Sequence, residues 1–378
     1  MLKRVSIQNF KSLKDVTLDL QEVNLLIGPN NSGKSNFLKA LEYISEYFQN
    51  IETVNSIKED KNRNKSAENF YKYYNNKPKK LIYKKDENLE LLINIQTNTI
   101  PEYKYKWSLK PEFDIDDYLE GYHSGESKIY EGKYSTEMAR LFKNVIVYRL
   151  EPKTISQPGV IGKLEENINS DGSNIINFLD LMLSKYRSKV ISKIEKDLSS
   201  CIPEFNEISL DNSYNDDNKS NLHSREALKI VGLTNNNQEI TYWADELSEG
   251  TLYFLALLCI IHQPTPPKLL LLEEPEKGIH PRRIEEIINL IFSLAEEKDI
   301  QVIMTTHSPI VVDMFKDMPE SVFIFDKDDE GATHVKNLQK DIIEPETAES
   351  ERLGIDPPQY LNGLGQAWKV GLIGGIPR

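Results

Sequence analysis

An α/β fold built around a phosphate-binding loop is what the sequence predicts, on three observations. The run Gly28-Pro29-Asn30-Asn31-Ser32-Gly33-Lys34-Ser35 completes the pattern GxxxxGKS, directly after the apolar run Val23-Asn24-Leu25-Leu26-Ile27 and before the helical pattern Asn36-Phe37-Leu38-Lys39-Ala40-Leu41. Four leucines, Leu269-Leu270-Leu271-Leu272, end in the paired acids Glu273 and Glu274. That is the pattern of a fully buried parallel strand whose carboxyl end presents charge at the ligand edge of a sheet. A third apolar strand, Gln301-Val302-Ile303-Met304-Thr305, runs into Thr306-His307-Ser308 and brings a histidine to a strand end at the same edge.

The elements follow in order. Residues 2–10 alternate apolar and polar as a half-buried strand does, Lys11-Ser12-Leu13-Lys14-Asp15 turns the chain, and Val16-Thr17-Leu18-Asp19-Leu20 is a second strand. The phosphate loop comes next. Its backbone N–H groups and the positive end of the following helix face the phosphates of a nucleoside triphosphate, with the glycines letting the backbone curl around the anion. Asn30, Asn31, Ser32, Gly33, Lys34 and Ser35 are thus the nucleotide-binding candidates. Lys34 reaches the β- and γ-phosphates and the Ser35 hydroxyl holds Mg²⁺. ATP and Mg²⁺ are the cofactors that this motif calls for.

Residues 50–80 are polar, rich in Lys, Asn, Glu and Tyr, and read as an exposed insertion. Residues 89–95 and 103–109 are strand-like and suggest an antiparallel sheet beside the nucleotide core, while residues 144–150 return the chain to that core. A long helical pattern covers residues 175–198 with Pro203 stopping it, and it carries no sustained heptad, so no long coiled-coil arm is expected. The divisions expected are a nucleotide-binding core (1–48, 141–160 and 225–340), an insertion with antiparallel strands (49–140), a helical lobe (161–224) and a C-terminal tail (341–378).

Composition bounds the function classes. With 378 residues, 39% hydrophobic and 28% charged, the chain can bury a substantial core. A formal net charge of −13 argues against a surface that coats nucleic acid, although a local basic groove leaves nucleic acid open as a partner. One candidate is the tyrosine-bearing basic stretch at residues 71–85; solvated surface explains it equally well. Cys201 and Cys259 lack CxxC spacing, which favours a reduced, cytoplasmic setting. No apolar run reaches the length of a membrane span and the N-terminus has no signal-type apolar core, so no membrane partner is expected.

Two further motifs carry chemistry. In the acidic pair, Glu273 takes the Mg²⁺-associated position through the ion's waters and Glu274 polarises the attacking water. Leu247-Ser248-Glu249-Gly250-Thr251 opens a long apolar helix. By itself it is a capped helix start.

In the order GPNNSGKS, LSEGT, LLLLEEPE, TTHS, these motifs resemble those of ABC-type ATPases, and the opening Asn9-Phe10-Lys11-Ser12-Leu13, EEPEKGIHP and THSP resemble the RecF/SMC-like group, in particular stand-alone ATPases related to the OLD nucleases. The resemblance implies an ABC-type head with a mixed sheet and a helical lobe. It implies that Ser248 and Gly250 contact the γ-phosphate held by a second copy, that His307 is the switch histidine, that residues 276–280 form the loop at the dimer seam, and that Gln157, among several polar neighbours, senses Mg²⁺. It further implies a homodimer or larger even assembly glued by ATP. Two roles are then open: sensor and scaffold for a separate effector, such as a nuclease, in anti-phage defence, or a RecF-like DNA-structure clamp in repair. After Ser308 too little sequence remains for the nuclease domain of the OLD proteins, and Asp326-Lys327-Asp328-Asp329 reads as a hairpin turn rather than as a metal site. The tail is either a docking element for the effector or a cover over one edge of the head.

Overall fold

The computed structural model describes residues 1–58, 81–86, 90–108, 133–186, 189–212 and 228–376. Alternation makes the first sheet. In β1 (Leu2–Phe10) and β2 (Leu13–Asp19) the buried residues pair across an antiparallel register, Val5 opposite Leu18 and Ile7 opposite Val16. β3 (Val23–Ile27) is buried throughout and leads through the phosphate loop into α1 (Lys34–Lys58). β4 (Glu90–Thr97) and β5 (Tyr103–Ser108) follow, and their antiparallel pairing places them in the order β2-β1-β4-β5. The strands expected of the insertion thus extend the sheet of β1. The basic stretch lies outside the described residues apart from residues 81–85.

α2 (Lys133–Leu141), β6 (Val147–Tyr148), α3 (Pro152–Ile155), β7 (Gly159–Val160), α4 (Ile175–Lys185) and α5 (Ile191–Cys201) come next. Only two residues of the strand expected over 144–150 are extended. The single helix expected over 175–198 is two. α4 ends at Lys185 because Tyr186 leaves helical backbone at φ −127°, and Lys185 and the Tyr186 hydroxyl are both tied to Glu166. α5 then starts afresh with Ile191, Ile194 and Leu198 on its buried face. The chain continues with β8 (Phe205–Asp211), β9 (Leu228–Asn235), β10 (Thr241–Trp243), α6 (Glu249–His262), β11 (Leu269–Glu273), α7 (Pro281–Lys298), β12 (Gln301–Thr305), α8 (Pro309–Asp313), β13 (Val322–Lys327), β14 (Thr333–Asn337), α9 (Glu344–Leu353) and α10 (Leu364–Lys369).

These elements form two compact units, Met1–Val145 with Lys268–Leu271 and Ala295–Arg378, and Ile146–Pro267 with Leu272–Leu294. In the first, β3 lies between β12 and β13, parallel to both, with Val302 opposite Val23 and Ile324 opposite Ile27. β14 pairs antiparallel with β13, so the sheet is mixed. Fully buried Gln301 is accommodated by bonds with the Leu2 amide, the Leu2 carbonyl and the Gln21 carbonyl. In the second unit β9 is flanked by antiparallel β7, β8 and β10. There α6 is buried from Gly250 to Ile261, which explains its apolar sequence without any membrane role. Among the described residues no helix is long and apolar enough to cross a membrane.

Candidate nucleotide site

The phosphate loop is shaped by its own surroundings. Gly28 adopts φ +140°, and a Cβ there would lie 2.2 Å from the Phe325 carbonyl oxygen of β13, so only glycine fits. Asn31 is also left-handed, at φ 65°. The buried Lys34 ammonium donates to the carbonyls of Gly28 (2.7 Å) and Pro29 (2.9 Å), which keeps a cation at the mouth of the loop. Beneath the loop the Thr333 hydroxyl donates to the Ser32 carbonyl (2.9 Å) and lies 2.8 Å from the Ser12 hydroxyl, to which Asn36 Nδ2 also donates (2.8 Å). The turn between β1 and β2 and the start of β14 therefore brace the loop.

The Ser32 hydroxyl is buried and has no hydrogen-bond partner. An unsatisfied buried hydroxyl costs about 1–3 kcal/mol, and an anion held by the loop is a partner that would satisfy it. Lys34, the Ser32 hydroxyl and the start of α1 together fit a polyphosphate. Within the same unit the Ser35 hydroxyl is a hard oxygen donor of the kind that magnesium takes.

A cavity of about 680 Å³ in the first unit is lined by Gly28, Pro29, Asn30, His307, Asp326 and Trp368, among others. The structure thus brings Asn30 and His307 to one space. His307 is exposed and follows β12, whose end is fixed by the bond from the Thr306 amide to the Leu26 carbonyl (3.3 Å) and the bond from the Ser308 amide to the Thr306 hydroxyl (2.9 Å). Asp326 and its neighbours form the β13–β14 hairpin. Asp328 accepts from the Ala332 amide (2.8 Å) and lies 2.9 Å from His334 Nε2, and these contacts hold its carboxyl below the usual range. Among the described residues no group of His, Cys, Asp or Glu is arranged to hold a metal ion by itself.

The C-terminal segment packs against the same unit. Trp368 Nε1 donates to the Gly375 carbonyl (3.1 Å), the Gly365 amide donates to Asp313 (2.7 Å), and a Cβ on Gly375 would lie 3.4 Å from Gly28 Cα. Leu364, Trp368 and Ile373 are buried, while Leu353, Ile355, Val370 and Leu372 remain exposed.

In the second unit, Glu273 closes β11 with its side chain only 14% exposed and accepts a hydrogen bond from Arg149 Nε. Glu274 adopts φ 50°, left-handed backbone that is rare for a residue with a Cβ, and its carbonyl accepts from the Lys277 amide (2.9 Å). Ser248 is exposed and caps α6: its hydroxyl accepts from the Thr251 amide (3.1 Å). Gly250 is buried, and the nearest neighbours of an added Cβ would be Arg283 at 3.6 Å and Ser248 at 3.7 Å, ordinary contact. Gln157 is exposed just beyond α3, and Gly278, at φ 80°, turns the chain ahead of α7.

Sequence reasoning gave Arg149 and Thr333 no role at the site, and it read Trp368 and Gly375 only as part of a tail that docks an effector or covers an edge of the head. Ser12 lay inside the quoted NFKSL motif without a role, and no local pattern marks the others.

The pattern of the family described as "AAA domain, putative AbiEii toxin, Type IV TA system" matches residues 23–116 and 158–313, together more than half of the chain. The chain is similar to the energy-coupling factor transporter ATP-binding protein EcfA2 of Bacillus licheniformis, 32% identical over 90 residues, 24% of this chain and 30% of that protein. It is similar also to EcfA2 of Bacillus cereus, 25% identical over 138 residues, 36% of this chain and 43% of that protein. The match thus spans less than half the length of these relatives. Among solved structures, the SMC head domain from Thermotoga maritima aligns with a TM-score of 0.43 at 14% identity, covering 89% of this chain and 98% of that one. The SmcHead bound to the C-winged helix domain of ScpA aligns with a TM-score of 0.49 at 13% identity, covering 89% and 96%.

Proposed function

The chain belongs to the AAA domain family, and on that premise we propose that it hydrolyses ATP as a nucleotide-sandwiched homodimer, or larger even assembly, that serves as sensor and scaffold for a separate effector protein. It is an ATP-binding ATPase with the P-loop, ABC-type head fold. The observation that carries the nucleotide part is the braced loop with a cation at its mouth and the partnerless Ser32 hydroxyl inside it.

In this reading Lys34 and the loop amides hold the phosphates, with Asn30 and His307 toward the γ-phosphate. Ser35, and Glu273 through water, would hold magnesium, which would supply positive charge against the phosphates. Glu274 polarises the attacking water, and Gln157 reports the metal's presence. Ser248 and Gly250 complete the site of a second copy. Support for that last assignment is the exposure of Ser248 at the start of α6 and a Gly250 that packing within the chain does not require to be glycine. The resemblance to stand-alone OLD-related ATPases of anti-phage defence supports action through a second protein.

Lys34→Ala is expected to abolish binding of a fluorescent ATP analogue. Glu274→Gln is expected to bind ATP, to hydrolyse it at least about 100-fold more slowly, and to accumulate as a dimer in sedimentation. A hydrolysis rate that Glu274→Gln leaves unchanged removes the role given to that carboxylate. Copurification of a distinct soluble protein supports the scaffold; stimulation of the ATPase by DNA ends with no protein partner would favour the repair clamp.

A further inference from the structure

Glu273 is the carboxylate assigned to the metal side of the site, and a cation already sits on it. Arg149 Nε donates to Glu273 Oε2, within one compact unit. The two partners differ in their surroundings: the Glu273 side chain is 14% exposed, the Arg149 side chain 49%. A carboxylate that far from water needs a counter-charge, and losing it would be more costly there than at the surface. The guanidinium is bound less tightly by its setting, since half of it faces solvent.

The backbone around Arg149 is fixed. It follows the buried Tyr148, its amide donates to the Ser170 carbonyl (2.6 Å), and the Glu151 amide donates to the Asp171 carbonyl (3.3 Å). The side chain therefore swings from a rigid pivot. When a divalent ion approaches the same carboxylate, a guanidinium hydrogen-bonded to it stands within a few ångströms of two further positive charges, in a site screened less than bulk water.

We propose that Arg149 is a place-holder cation: it neutralises Glu273 in the metal-free protein and gives up the carboxylate when magnesium and nucleotide arrive. This rests on the assignment of Glu273 in the proposed ATPase site. Arg149 is a positioning residue in this scheme, since it acts on the metal through Glu273. The exchange makes apparent metal affinity lower than the bare site would have, and it leaves a free guanidinium, a group well matched to phosphate oxygens, only in the loaded state.

The test uses the full chain with saturating adenylyl imidodiphosphate and Mn²⁺, with bound ion counted by electron paramagnetic resonance. Arg149→Gln is expected to bind Mn²⁺ about three- to tenfold more tightly than wild type, and Arg149→Lys to stay near wild type. In the metal-free state Arg149→Gln melts at a lower temperature than wild type, and addition of Mg²⁺ and the analogue closes the gap. Unchanged or weaker Mn²⁺ binding by Arg149→Gln overturns the proposal. A measurement on wild type covers a variant that fails to fold: the Arg149 Nε–H resonance is expected to exchange slowly without metal, to stay so with the analogue in EDTA, and to exchange fast once Mg²⁺ is added. A resonance protected throughout overturns the exchange while leaving the ATPase reading intact. Wild type that binds no Mn²⁺ with the analogue overturns both.

Discussion

The phosphate loop and the segment at Ser248 are built on different terms. Around the loop, every element that fixes the backbone comes from the same unit: the Phe325 carbonyl against Gly28, Thr333 and Ser12 beneath Ser32, and the Gly375 turn beside Gly28. At Ser248 and Gly250 the chain supplies a capped helix with an exposed serine and a buried glycine at which an added Cβ would make ordinary contacts. An over-determined loop can hold strained backbone and a partnerless hydroxyl ready for an anion. Gly250, by contrast, is not held to glycine by packing within the chain.

Substitutions that add one methyl group at each place put this contrast to its sharpest test. Gly28→Ala is expected to destabilise by at least about 3 kcal/mol, because the methyl group collides with backbone and the φ value is strained; thermal melting and analogue binding read the loss. Gly250→Ala should melt at or slightly above the wild-type temperature, as alanine favours the helix, while weakening ATP-driven dimerisation in sedimentation. A destabilised Gly250→Ala, or a well-tolerated Gly28→Ala, would break the comparison.

Removing one brace from the loop has a middle-sized effect. Thr333→Val takes the donor from the Ser32 carbonyl and a partner from the Ser12 hydroxyl, and is expected to cost about 1–3 kcal/mol together with nucleotide affinity, measured by denaturant unfolding and analogue titration. Ser248→Ala loses the cap bond to Thr251 and is expected to cost about 1 kcal/mol, with the dimer more affected than the fold. An equal loss of nucleotide affinity in monomeric Ser248→Ala would place that serine in the chain's own site.

The smallest effect concerns the hairpin beside the cavity. His334 and the Ala332 amide hold the Asp328 carboxyl below its ordinary value. Its contribution is therefore full above about pH 4, the unfolded value, and is lost as the pH falls through the depressed folded one. Amide exchange at Ala332 should accelerate on that acid limb in wild type, and Asp328→Asn should flatten the dependence.

Much of the nucleotide core was legible from local pattern. β1, β3, β11 and β12 stand where alternation or unbroken apolar runs put them, because burial on one or both faces writes itself into consecutive residues, while β2 starts at Leu13, inside the stretch read as a turn, since Leu13 and Asp15 pair with Phe10 and Gln8. The hairpin turn at Asp328 was legible from its turn residues Asp328-Asp329-Glu330-Gly331. The break between α4 and α5 was not, since Lys185 and Tyr186 suit a helix and only their bonds to Glu166 end it. Nor was the placement of β4 and β5 in the sheet of β1, a matter of which strand edge was free.

By itself the sequence determined the chemistry on offer: a glycine-framed loop for phosphate, acids at a strand end, a serine at a helix start, a histidine after β12. Each of these is encoded within a few adjoining residues, where backbone freedom and side-chain type act directly. The tertiary structure alone decided that Thr333 would steady Ser32 from 301 positions away, that Arg149 would cover Glu273 from 124 positions away, and that Gly375 would close beside Gly28. Such pairings depend on strand order and packing, which bring distant residues within the few ångströms over which a hydrogen bond or an ion pair acts.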